Sequence, residues 1–266
     1  MEDTLILCAD IGTTSLKMGI ISRNGEVLCS TQKFFKTKDN SLIANEWLEA
    51  FKLGFAEIKD KAGLISAVCI SGNGPTVVSE SGLTLLWNCP APERIEKKAE
   101  ETKSLYIPRF LAFKEKFPEE WNSSACVFSG PEFVVYKLTG NAVSILPEER
   151  FTEAYWSLKE LKRFGIEPEK IPGFIPPGRS AGNVTKDASE YFGIPEAPVF
   201  CAGPDFIAAL LGTATVEPGK LCDRSGSSEG INLCAEKPVF KEGFRTLPSA
   251  IPGLWNISVI IPESGS

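Results

Sequence analysis

Thr4-Leu5-Ile6-Leu7-Cys8-Ala9, running into Asp10-Ile11-Gly12-Thr13-Thr14-Ser15-Leu16-Lys17, sets the architecture at the start of the chain. The first six residues form a short continuous apolar run, the pattern of a strand covered on both faces. Asp10 to Ser15 is a polar turn, and Leu16 to Ser22 resumes as a second strand. Asn24-Gly25 is a strong hairpin signal, so Glu26 to about Lys33 should be the third strand of an antiparallel meander. A helix is predicted from Asn45, as its N-cap, to about Lys61, because Trp47, Phe51, Phe55 and Ile58 share one helical face. Leu64 to Ser71 then reads as a buried strand ending in the loop Gly72-Asn73-Gly74-Pro75. This βββαβ order excludes a Rossmann domain, which would open with βαβ crossovers instead of hairpins.

Beyond that loop the signals stay local. Thr76–Ser79 and Leu83–Trp87 read as short strands about a turn at Glu80-Ser81-Gly82. Tyr106, Phe110, Phe113 and Phe117 form a helical, core-facing stripe. Ser129 and Glu132 make a capping box, with Pro131 in the first turn of a helix that stops at Gly140. Residues 168–177 are proline-rich and should lie on the surface. Val199–Ala202 is a strand, and Gly203-Pro204-Asp205 opens a helix over Phe206–Gly212. After Glu217-Pro218-Gly219, strands and turns return.

Composition narrows the chemistry. The 266 residues include no histidine, which removes every mechanism built on an imidazole base and leaves carboxylates, lysine, tyrosine or cysteine as proton acceptors. A net charge of −6 argues against a general nucleic-acid surface. The eight cysteines show no CxxC spacing and several sit in apolar runs, so buried free thiols are expected, neither bridges nor zinc ligands. No leader-like segment and no long apolar run opens the chain, so the expectation is a cytoplasmic protein with no membrane partner.

Three segments can carry chemistry. In Asp10–Lys17 a glycine, three adjacent hydroxyls and a cation share a tight turn, which suits a phosphate anion, although a plain solvent-exposed turn has the same composition. Asp10 at its entrance could hold Mg²⁺. A second hydroxyl-rich turn runs Arg224-Ser225-Gly226-Ser227-Ser228-Glu229-Gly230, and two such turns could clamp one triphosphate. Asp205 is either a helix-start carboxylate or a base placed to accept a hydroxyl proton during phosphoryl transfer. Gly212 to Lys220 has the wrong spacing for a P-loop, and Gly72-Asn73-Gly74 lacks the dinucleotide pattern.

Taken in order, these motifs resemble the FGGY carbohydrate kinases. Asp10–Lys17 is similar to their first phosphate motif. Ile70–Pro75 with Leu85-Leu86-Trp87-Asn88 resembles their sugar loop and LWND strand. Phe133 to Gly140 resembles their Y…LTG helix, Gly203-Pro204-Asp205 with Gly212 and Pro218-Gly219 their GxxD…G…PG segment, and Gly226-Ser227-Ser228 their second phosphate motif. The resemblance implies an α/β, actin-like (ribonuclease H-like) ATPase domain with a five-strand mixed sheet flanked by helices. It would span residues 1–215, and residues 216–266 would begin a second, nucleotide-binding domain.

The implied function is ATP- and Mg²⁺-dependent phosphorylation of a sugar or polyol. Asp205 would be the general base and Asp10 the metal residue. Gly12, Thr13, Thr14, Lys17, Gly226, Ser227 and Ser228 would face the nucleotide, while Gly74, Pro75, Trp87, Asn88, Phe133 and Asp205 would line the sugar pocket. For Trp87 and Glu132 packing and capping are competing roles. Gly74-Pro75, Cys89 and Phe133 lack polar groups usual in the family, so the identity of the sugar stays open. A truncated or degenerate kinase half that binds sugar without turnover is the alternative. A missing second domain or a homo-oligomer would complete the fold.

Overall fold

The computed structural model describes residues 4–225 and 229–261. The meander forms as β1 (Leu5–Ile11), β2 (Ser15–Ser22) and β3 (Val27–Phe34), and leads into α1 (Ile43–Ile58) and β4 (Ile65–Gly72). A long excursion follows: β5 (Val77–Ser79), β6 (Thr84–Leu85), α2 (Glu93–Ala99), α3 (Ile107–Lys116), α4 (Pro118–Ser123) and β7 (Val127–Ser129). The chain returns through α5 (Gly130–Thr139), β8 (Ser144–Ile145), α6 (Leu158–Arg163), β9 (Phe174–Ile175), β10 (Gly182–Asn183) and α7 (Lys186–Phe192) to β11 (Pro198–Pro204) and α8 (Asp205–Gly212). Four strands follow, β12 (Leu221–Ser225), β13 (Glu229–Ala235), β14 (Arg245–Pro248) and β15 (Trp255–Ile261).

The main sheet has the order β10-β11-β4-β1-β2-β3. The five long strands match the expected mixed sheet, with β1, β4 and β11 parallel and β2 and β3 antiparallel. The sixth, β10, is a two-residue edge strand that the short Gly182-Asn183 pair gives no periodicity to reveal. Side chains alternate along β1: Leu5, Leu7, Ala9 and Ile11 are buried against α1 and α5, and Ile6, Cys8 and Asp10 face the other way, half-buried. Trp47, Phe51, Phe55 and Ile58 of α1 are buried on that core, each contributing about 1.5–3 kcal/mol. The helix starts at Ile43, so Asn45 lies inside it instead of capping it. Asp39 caps a preceding 3-10 turn, its Oδ1 accepting from Ser41 N at 2.9 Å, and that turn runs straight into α1. The capping box at Ser129 and Glu132 is present, and α5 ends with Gly140 left-handed at φ 72°.

A second core gathers aromatic side chains from the excursion. Tyr106, Phe110 and Phe113 of the expected stripe are buried there with Trp121, Phe151, Tyr155 and Trp156, and Phe117 packs at its margin. Ile207 of α8 and Leu247 of β14 join the same cluster. The last strands pair among themselves as an antiparallel sheet, β12-β13-β15-β14. Arg150 ties this sheet down, donating to Leu254 O at 2.9 Å and lying 4.9 Å from the Trp255 ring centroid. All eight cysteines are free thiols; Cys201, Cys222 and Cys234 are buried and the other five half-buried, and burial pushes the Cys8 thiol up to about 12. Among the described residues no helix is long and apolar enough to cross a membrane.

Candidate active site

Three parallel strands end side by side. Asp10 of β1 stands in register with Ser71 of β4, and Ser71 with Gly203 of β11; one step on, Ile11, Gly72 and Pro204 line up. The carboxyl ends of parallel strands are where open α/β sheets hold ligands. Here they bring the Asp10 turn, the Gly72–Pro75 loop and the Pro204-Asp205 helix start to one edge. Close packing fixes the alignment. A Cβ at Gly72 would lie 2.8 Å from Ile11 Cβ, and Ser71 Oγ donates to Gly203 O at 3.3 Å. Gly203 itself, at φ 76°, takes the left-handed conformation beside a register shift in β11 and turns the chain into α8.

Asp205 is the first residue of α8. Burial raises its carboxyl above the usual range, the Arg224 guanidinium lowers it in part, and the Asp10 carboxylate raises it further. Arg224 Nη1 lies 3.9 Å from Asp205 Oδ1, too long for a tight pair. Burial also raises Asp10, with the charge of Lys17, its cross-strand partner, acting against that. The Asp10 carboxylate thus acts on Asp205, and a divalent cation held at Asp10 would relieve that repulsion. Among the described residues no group of three or more potential ligands forms a protein-only metal cage. One or two carboxylates completed by water and phosphate are what Mg²⁺ ordinarily uses, so Asp10 fits it and Asp205 stays free of the metal.

Gly12 N donates to Ser15 O at 2.9 Å, and a Cβ at Gly12 would sit 3.0 Å from that oxygen, so a side chain there would crowd the turn. Thr13 and Thr14 stand at its mouth. Ser15 does not: it is buried in β2, its hydroxyl taken by Gln32 Nε2 at 2.8 Å, so two hydroxyls of the expected three remain. Lys17 is exposed.

The Gly74–Pro75 peptide is cis, and a Cβ at Gly74 would lie 3.1 Å from the Tyr106 hydroxyl. Trp87, 41% exposed, and exposed Asn88 stand beside this loop, with Trp87 Nε1 reaching Thr13 Oγ1 at 3.3 Å. Phe133 is not brought to the mouth. It is fully buried and packs against Phe128 in the sheet core. Gly226, Ser227 and Ser228 lie outside the described residues.

Sequence reasoning gave no role to Arg224 or Arg109, and left Glu132 between capping and the pocket. Arg224 is the first residue of the second hydroxyl-rich segment, which was its one signal. Arg109 is buried and holds the carbonyls of Leu86 and, at 2.7 Å, Cys89, fixing the turn that carries Trp87 and Asn88. Glu132 is buried behind the loop. Its Oε1 accepts from Ile145 N at 2.6 Å, and burial pushes its carboxyl up to about 7 despite the Ile145 and Ser129 donors. A separate cavity of about 860 Å³, lined by Arg150, Phe244, Leu247 and Trp255, lies at the foot of the second sheet and takes in neither Asp10 nor Asp205.

No protein-family model matches the chain. It is similar to the xylulose kinase of Staphylococcus xylosus, 22% identical over 269 residues that make up 87% of this chain and 55% of that protein. Among solved structures, the xylulose kinase of Rhodospirillum rubrum superposes with a TM-score of 0.80 at 18% identity, over 98% of this chain and 61% of that one. The glycerol kinase of Plasmodium falciparum, solved with ADP, superposes at 0.76 and 16% identity, over 99% and 62%. The chain thus spans little more than half to three fifths of the length of these proteins. Across that span it has the actin-like fold of the FGGY carbohydrate kinases, over the N-terminal part of their chains.

Proposed function

We propose that this chain binds a sugar or polyol and serves its phosphorylation by ATP. The alignment of Asp10, the Gly72–Pro75 loop and Asp205 at three adjacent strand ends carries the reading. The kinase relatives support it. In this reading residues 1–215 form the actin-like unit and residues 216–266 begin a second one.

The substrate lies between Gly74, Pro75, Trp87, Asn88 and Asp205. Asp205 takes the proton from the attacking hydroxyl, whose oxygen bonds to the γ-phosphorus as the bond to the β–γ bridging oxygen breaks. A carboxylate raised above the usual range is a better acceptor than an ordinary aspartate, and no histidine is needed. The turn after Gly12 offers the backbone N–H groups and hydroxyls of Thr13 and Thr14 to phosphate oxygens, and Lys17 adds charge; Gly226, Ser227 and Ser228 would complete that grip. Asp10 would hold magnesium, which would supply neutralisation of the phosphate charge.

The test is ATP-dependent phosphorylation of D-xylulose, D-gluconate and glycerol. Turnover should fall by roughly 10²–10⁴-fold in Asp205→Ala, the usual contribution of a positioned general base. A substrate turned over equally by the variant would refute the assignment.

A further inference from the structure

A closed ring of hydrogen bonds joins the phosphate turn to the sugar loop. Asn73 Nδ2 donates to Gly12 O at 3.0 Å, and Thr76 Oγ1 donates to Asn73 Oδ1 at 2.8 Å. Trp87 N donates to that same Thr76 oxygen at 3.1 Å, and Trp87 Nε1 returns to Thr13 Oγ1 at 3.3 Å. Asn73 is 2% and Thr76 0% exposed, so neither side chain can touch a ligand. Both are nonetheless hydrogen-bonded at each polar atom. The Thr76 hydroxyl spends its proton on Asn73 and a lone pair on Trp87, and the Asn73 amide reaches one turn with each end. Gly130 leaves room for this, since a Cβ there would sit 2.9 Å from Asn73 O.

The weak link is the outer one. It is the longest of the four and lies on half-exposed Trp87, so it can open and close while the buried links hold. Its state matters to both turns. When Trp87 donates to Thr13 Oγ1, the threonine must aim its own proton elsewhere, toward the mouth where a phosphate oxygen would accept it. A sugar that settles Trp87 therefore orients Thr13 for phosphate, and a phosphate that engages Thr13 settles Trp87.

Resting on the kinase reading above, we propose that Asn73 and Thr76 are positioning residues that couple sugar binding to phosphate binding. The coupling is reciprocal: each ligand tightens the other by the same factor.

The probes are magnesium tripolyphosphate for the turn and D-xylulose, D-gluconate and glycerol for the loop, each titrated calorimetrically with and without the other class. The wild type should show at least about fivefold mutual tightening, the lower end of ordinary coupling. Thr76→Val, equal in size but without the hydroxyl, should bring the factor to about one, and Thr76→Ser should restore it. Trp87→Phe, which opens the ring at its exposed link without disturbing buried groups, should also abolish it. A wild type that fails to bind both probe classes refutes the kinase reading and the coupling together. Independent binding in the wild type, or coupling that survives in Thr76→Val and Trp87→Phe, overturns the ring and leaves the kinase reading standing.

Discussion

Glu132 should make this protein lose stability as pH rises through neutrality, and Glu132→Gln should remove that loss. The carboxyl is fully buried, and its value goes from 4.5 in the unfolded chain to about 7 in the fold. Below pH 4.5 it is protonated in both states and imposes no charge on the interior. Between 4.5 and 7 the folded state holds the proton more tightly than the unfolded one, so each rise in pH favours unfolding. Above 7 the ionised form is buried and the full penalty, on the order of 3 kcal/mol, is in place. Between pH 5.5 and 8 the change is about 2 kcal/mol. The amide of the variant can keep an oxygen on Ile145 N and cannot ionise. Urea denaturation at half-unit steps, wild type against variant, isolates this group from the other carboxylates. The wild-type midpoint should fall steadily over that range relative to the variant. Parallel curves would refute the buried, neutral carboxyl.

Two further outcomes concern the strand ends. Arg224→Gln removes the charge that lowers Asp205, so the acid limb of the kcat/KM profile should move to higher pH, with activity lost first on the acidic side; an unshifted limb would show that Arg224 does not act on the base. Gly72→Ala places a Cβ 2.8 Å from Ile11 Cβ and should cost about 1–3 kcal/mol in urea denaturation and reduce turnover, whereas a neutral result would mean that β1 and β4 separate more easily than their packing indicates.

What the sequence disclosed was local. The meander follows from one hairpin dipeptide and a turn, the α1 face from its spacing, and the α5 start from a capping box within four residues. Asp10, Gly12, Thr13 and Asp205 could be singled out as candidates because each sits where a run of apolar residues stops. The missed features need register between distant segments. Ser71 meets Gly203 across 132 positions, and Trp87 meets Thr13 across 74. No periodicity in either segment announces such a meeting. Phe133 shows the reverse failure. Its motif suggested a pocket wall, but the helix turns that face onto Phe128, and burial decides. At Asn45 a good capping residue lost to an upstream turn closed by Asp39.

The aromatic core has a mechanical meaning. Ile207, two residues beyond Asp205, and Leu247, from the second sheet, are knobs in the same close-packed body. Interiors at crystal-like density shift between discrete packings and do not flow. A rotation of the second sheet must therefore either carry the Asp205 helix with it or tear Leu247 from its socket. The placement of Asp205 thus answers to a lever arm far from the strand ends, through a fulcrum of Tyr155, Trp156 and their neighbours.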